Sequence, residues 1–138
     1  MEETKQKTTI SAMLAVLNVQ DALAWYQRAL GAKILWNLGS VAGLEIAGAA
    51  FFLGEPANNG WESPEKLGIT STRVEVFCDD PDTFIKLALD AGAKGSLDDL
   101  RDHEALWGVH RQGHFFDPFG HLWLVGDHSP LKTFVQRS

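Results

Sequence analysis

Cysteine is nearly missing from this chain: Cys78 is the only one in 138 residues, so no disulfide can form within it. A reducing compartment is the expected setting. Long apolar runs are also missing, and no stretch approaches the roughly 18 residues that a membrane helix needs. The opening "MEETKQKTTISAMLAVLN" lacks the basic start, long apolar centre and small-residue cleavage site of a secretory leader. Positive charge is in deficit, with 12 Lys and Arg against 18 Asp and Glu, a formal charge of −6 and a pI of about 5.2. That balance argues against a nucleic-acid backbone as the main partner, because such proteins carry a basic footprint. The expectation is a soluble, cytoplasmic protein with neither nucleic acid nor membrane as partner. Apolar residues make up 45% of the chain, enough for one sizeable core, so residues 1–138 are read as a single domain.

What is present is a repeat. "NVQDALAWYQRALGAK" (Asn18 to Lys33) and "DDPDTFIKLALDAGAK" (Asp79 to Lys94) lie 61 residues apart and both end in Gly-Ala-Lys. Each predicts a helix. Asn18 is placed to cap the first, and Val19, Leu23, Tyr26 and Leu30 form its apolar stripe. Asp80 is placed to cap the second, Pro81 suits its first turn, and Phe84, Leu87, Ala88 and Ala91 are expected to face inward. Gly31 and Gly92 can supply the left-handed residue that ends a helix. Strands are expected at "TISAMLAVL" and "STRVEVFC" before the helices. "AKILWNLG", "VAGLEIAG" and "AAFFLGE" follow the first helix; a poorly patterned "KGSLDDL", then "GHFF" and "HLWLVG", follow the second. The modules run over about 7–56 and 70–128, joined by the turn-rich "PANNGWESPEKLGIT". Neither half has a complete core of its own, so the two should fold as one unit.

From about Thr9 to His128 these features resemble the vicinal oxygen chelate superfamily of glyoxalases, bleomycin-resistance proteins and extradiol dioxygenases. The resemblance is carried by "DALAWYQRALGAKIL", "VFCDDPDTFIKLALDAGAK" and "DPFGHLWLV". The last of these, with "WGVHRQG" before it, is similar to the ending of the PhnB-like branch. The resemblance implies an α+β fold of paired βαβββ modules, with a curled mixed or antiparallel sheet around a cavity and the helices outside. It also implies a homodimer.

Metal-dependent members of that superfamily supply one ligand from the first and last strand of each module. Carried onto this chain, those positions fall at Ser11, near Arg73, around Phe51 to Leu53, and around Leu122 to Leu124. Leucine and phenylalanine cannot donate and arginine repels a cation, so no metal and no other cofactor is expected. Glu45, Glu75, His110, His114 and His121 remain available for a different arrangement. Asp117-Pro118-Phe119-Gly120 has a sufficient account as a turn, with His121 as a turn and strand-start residue. His103 reads as a solvated loop residue, and His128 lies past the last strand.

If Ser11 and Arg73 point inward as in the superfamily, strand alternation puts Met13, Ala15, Leu17, Glu75 and Phe77 on the cavity face. Leu14, Val16, Val74, Val76 and Cys78 then pack under the helices. Among five tryptophans, Trp25 and Trp123 are expected in the core, and Trp36, Trp61 and Trp107 are the candidates to stack on a small-molecule ligand. Arg73, Glu75, His110 and His114 are the polar candidates. The leading expectation is a metal-free protein that binds and sequesters a small molecule, like bleomycin-resistance proteins. The alternative is a glyoxalase-like lyase or other enzyme of the superfamily with a nonstandard or metal-free site. There Glu75 and His114 would move protons while Arg73 stabilises negative charge. A structural dimer with a filled cavity is the third.

Overall fold

The computed structural model describes residues 6–106 and 108–131. Helix α1 (Val19–Leu30) starts where the side chain of Asn18 accepts the Asp21 N–H and ends at Gly31, whose φ of 67° relieves the last turn. Its Val19, Leu23, Tyr26 and Leu30 are all buried, as the spacing predicts. Helix α3 (Pro81–Asp90) starts at Asp80, which accepts the Thr83 N–H, with Pro81 at its first position. Its inward stripe matches the expected one in part: Ala88 is fully buried and Phe84 and Ala91 pack against the core, but Leu87 is 52% exposed and Ile85 is fully buried instead. Pro81, Ile85 and Ala88 form the buried face, which is centred so that Leu87 lies toward solvent.

Both modules repeat the order strand, helix, three strands. The first comprises β1 (Met13–Ala15), α1, β2 (Lys33–Asn37), β3 (Val41–Ile46) and β4 (Ala49–Gly54). The second comprises β5 (Arg73–Phe77), α3, β6 (Arg101–Ala105), β7 (Gly108–Phe116) and β8 (Leu122–Gly126). A short helix, α2 (Pro64–Leu67), is set into the linker between them. Each sheet has four strands, ordered β1-β4-β3-β2 and β5-β8-β7-β6, with the first strand parallel to the last and the remaining pairs antiparallel. The fold is therefore α+β with paired βαβββ modules, mixed sheets and peripheral helices. Several details depart from expectation: β7 starts at Gly108 rather than Gly113, and the linker holds α2. Ser11 precedes β1 and is exposed rather than lying on a strand. The unpatterned stretch after α3 contains a 3-10 turn at Leu97–Asp99 and then a full strand, β6.

The buried residues of both modules form a single cluster, including Leu14, Val16 and Tyr26 from the first and Ile85, Phe115 and Trp123 from the second. Val74, Val76 and Cys78 pack against it, as alternation predicts. Trp25 Nε1 donates to the Ala91 carbonyl at 2.8 Å, tying α1 to the end of α3. Truncating any of the large buried aromatics to alanine costs about 3–5 kcal/mol.

Asp117 is buried and densely hydrogen-bonded. Its carboxylate accepts from the Tyr26 hydroxyl, from Trp123 Nε1 at 2.9 Å, and from the backbone N–H groups of Phe119 at 2.9 Å and His121 at 3.0 Å. The His121 ring closes the link, with Nε2 2.7 Å from the Ala15 carbonyl on β1. The segment 117–121 is thus a turn, as expected, and also the joint between the modules. Burial and the neighbouring Asp117 push the Tyr26 phenol well above its ordinary value.

Candidate functional site

The second sheet buries one face under α3 and presents the other as a concave surface. Along β7, Phe115 is buried beneath the helix, while Gln112, His114 and Phe116 alternate onto the open side. Gly113 lets α3 approach closely, since a Cβ there would meet Ile85 and Leu100 at 2.8 Å. The register sorts the open side into rows across the strands. Arg73, Leu122 and Phe116 share one row; Glu75, Leu124 and His114 share the next; Gln112 pairs with Arg101, and His110 with His103.

A groove of about 460 Å³ occupies this surface, and its polar lining is Arg73, Arg101, His103, Gln112, His114 and Asp99, over a floor of Phe116, Leu122 and Leu124. Two guanidiniums and two imidazoles against one carboxylate make it a place for a negatively charged or carbonyl-bearing group. Arg101 makes no ion pair with any described residue. Arg73 Nε lies 3.5 Å from Glu75 in a solvent-exposed pair, a contact of small energy that leaves the rest of the guanidinium available.

Of the residues singled out in the sequence, Arg73 and His114 meet in this groove. Glu75 shares the row of His114, two strands away with Leu124 between them. It lines a separate, largely apolar crevice of about 400 Å³ between the modules, together with Cys78, Phe84 and Trp123. Burial raises the Cys78 thiol above its ordinary value, which makes it a poor nucleophile. His110 is buried, its ring centroid 5.9 Å from that of His103 across the strand pair. Trp36 and Trp61 are elsewhere. Trp36 lies over Gly43 and against Phe52 (centroids 5.4 Å apart) on the open side of the first sheet. Trp61, half-buried in the linker, packs beside Gly54 and Met13. Trp107 lies outside the described residues. Trp25 and Trp123 are core residues, as expected.

Sequence reasoning missed Arg101 and read His103 as a solvated loop residue, whereas it lies half-buried on a strand. Both are on β6, which carries no alternation of apolar residues because its one face borders this polar groove and its edge is open to solvent. The Gly-Ala-Lys ending of the second repeat, followed by charged residues pairing back toward "WGVHRQGHFF", was the available signal.

The metal pattern of the superfamily does not fit. Phe52 pairs with Met13, and Leu122 and Leu124 with Arg73 and Glu75, so the positions corresponding to metal ligands hold mainly carbon side chains and a guanidinium. Among the described residues no group of three or more His, Cys, Asp or Glu side chains could hold a metal ion. No helix among them is long and apolar enough to cross a membrane.

Comparison with curated proteins finds no match. Solved structures share the fold at low identity. TioX from Micromonospora sp. ML1 is 22% identical and has a TM-score of 0.65, covering 89% of this chain and 100% of its own. The fosfomycin resistance protein FosX from Mesorhizobium loti is 10% identical with a TM-score of 0.61, covering 94% of this chain and 99% of its own. A mutant of FosX from Listeria monocytogenes, complexed with Mn(II) and 1S,2S-dihydroxypropylphosphonic acid, is 15% identical with a TM-score of 0.64, covering 96% of this chain and 100% of its own. The sequence profile of the Glyoxalase/Bleomycin resistance protein/Dioxygenase superfamily matches residues 9–125. With paired βαβββ modules, an open concave groove and a profile match over most of its length, the chain belongs to that superfamily.

Proposed function

We propose that this protein is an enzyme of the superfamily with a nonstandard, metal-free site, acting on a small anionic or carbonyl-rich molecule held on the concave face of the second sheet. The observation that carries this reading is the convergence of Arg73, Arg101, His103, Gln112 and His114 on one groove. Sequestration by aromatic stacking, the leading expectation from sequence, is less well supported, because Trp36 and Trp61 pack on the first module and its linker.

The chemistry suited to these groups is proton transfer next to a carbonyl. A ligand bound with its carbonyl oxygen toward Arg73 loses an α-proton to the His114 imidazole, and the electron pair moves onto the oxygen facing the guanidinium. Where that α-carbon carries a hydroxyl, the product is an enediolate; returning the carbon-bound proton to the former carbonyl carbon, while the hydroxyl proton passes to the oxygen at Arg73, turns the hydroxyl into the new carbonyl and completes an isomerisation that needs no oxidant. The FosX structures belong to fosfomycin resistance proteins, one of them holding Mn(II) and a phosphonic acid. For this chain we place an acidic ligand against arginines instead, and chemical defence against such a compound is one setting for the activity. The Asp-Pro-Phe-Gly-His ending supports a PhnB-like affiliation, and the lone cysteine supports a cytoplasmic location. A homodimer is supported by Met13 and Trp36, which remain well exposed on the open side of the first sheet.

The test is a panel of small carboxylates, phosphonates and α-hydroxy aldehydes and ketones, assayed for binding and turnover. Arg73→Ala should weaken binding of anionic or carbonyl-rich members by about tenfold, and His114→Gln should abolish turnover with binding retained. Unchanged affinity across the panel on Arg73→Ala removes Arg73 from the site. Binding without turnover of any member restores the sequestration reading.

A further inference from the structure

The groove does not end at Phe116. A second cavity, of about 600 Å³, lies between α2 and the turn at 117–120, and it shares Phe116 and Leu122 with the first. Its lip carries Lys94, which is fixed in place because its backbone exchanges two hydrogen bonds of 2.8 Å with Phe116. Lys94 and Phe116 form a paired bridge, so they share a face. The row that holds Arg73, Leu122 and Phe116 therefore continues to Lys94. It reads cation, apolar, apolar, cation across the sheet.

Neighbouring strands lie roughly 4.8 Å apart, so the backbones at the two ends of the row are about 14 Å apart, and both cationic side chains are long enough to reach inward. Lys94 makes no ion pair with any described residue. The acids nearby do not cancel the pattern. Glu75 pairs with Arg73 in solvent, Asp99 lines the first cavity together with two arginines, Glu65 of the second accepts from the Leu17 N–H at 3.5 Å, and the Asp117 carboxylate is buried among its four donors. Phe116, 40% exposed, and Leu122 offer an apolar floor between the cations. A ligand with a single charged head would engage one end of this row and leave the other in water.

We infer that the concave face binds an elongated dianion, with one anionic group at Arg73, an apolar middle across Leu122 and Phe116, and the second anionic group at Lys94. This rests on the reading that the concave face of the second sheet is the ligand site. The probes are straight-chain dicarboxylates from succinate to sebacate, each set against the monocarboxylate of equal length and followed by NMR titration of the backbone amides at low salt.

A dicarboxylate of intermediate length should bind about fivefold tighter than its monocarboxylate counterpart, the size expected of one added exposed ion pair. Longer and shorter members should lose that advantage, and 1 M salt should erase it. Lys94→Gln should remove the advantage of the dicarboxylate over its monocarboxylate counterpart, and Lys94→Glu should reverse the preference. Arg73→Gln should weaken both series. Dicarboxylates no tighter than monocarboxylates, with Lys94→Gln silent, would overturn the dianion inference and leave the Arg73 site standing. Absence of any Arg73-dependent carboxylate binding would overturn both.

Discussion

Asp117 concentrates more structural consequence than any other single side chain here. Four donors from both modules converge on a carboxylate that is 2% exposed, so removing it leaves a phenol, an indole and two amides buried without their acceptor. Each such orphan costs about 1–3 kcal/mol, without simple additivity. Asp117→Ala should therefore destabilise the protein by about 3–5 kcal/mol in urea unfolding, and a loss below about 1 kcal/mol would contradict the joint. His121→Ala, which removes the ring held at the Ala15 carbonyl, should lower stability by about 1–2 kcal/mol with ligand affinity unchanged. Selective loss of binding at an unchanged melting temperature would instead place His121 in the site.

Tyr26 supplies a pH test of the same joint. Its phenol is raised above the ordinary 10.0 by burial first and by Asp117 second. A raised folded value means that the stabilisation is complete below the unfolded value and declines as pH climbs above it toward the folded one. The urea midpoint should fall above about pH 10, and Tyr26→Phe, with no phenol to ionise, should show a shallower fall over the same range. Parallel curves for the two proteins would exclude Tyr26 as the source.

At the scale of elements, α3 shows how little separates alternative helix faces. Phe84, Ile85, Leu87 and Ala88 permit two stripes at helical spacing, and tertiary packing against β7 and Leu100 selects the one containing Ile85. Ile85→Ala should cost about 2–4 kcal/mol, whereas Leu87→Ala should stay within about 0.5 kcal/mol. Equal costs for both would restore the face expected from sequence. Strand β6 makes the complementary point. Its residues Arg101 to Ala105 have no apolar alternation, since neither of its faces is buried under a helix. Periodicity detects strands through the contrast between a dry face and a wet one, and β6 lacks that contrast.

Considered as a whole molecule, the two sheets share one topology but differ in chemistry. The open side of the first carries Met13, Phe52 and Trp36, and that of the second carries Arg73, His114 and Arg101. Among the described residues no group of three or more His, Cys, Asp or Glu side chains could hold a metal ion. Addition of Zn²⁺, Ni²⁺ or Mn²⁺ to chelator-treated protein should therefore leave the melting temperature unchanged within about 1 °C, because a ligand stabilises only the state it binds. A stoichiometric rise would reveal a donor arrangement different from the one described.

The amino-acid sequence by itself determined the helices with their caps at Asn18 and Asp80, the doubled module and the turn at 117–120. These are local or periodic properties, written in the identities of neighbouring residues. Only the tertiary structure decided that Arg101 and His103 join Arg73 and His114 in one groove, that Glu75 borders another cavity, that Trp36 and Trp61 sit away from that groove, and that Lys94 ends a row begun at Arg73. Those relations depend on strand register, which pairs residues far apart in the chain through backbone hydrogen bonds that no side-chain pattern records.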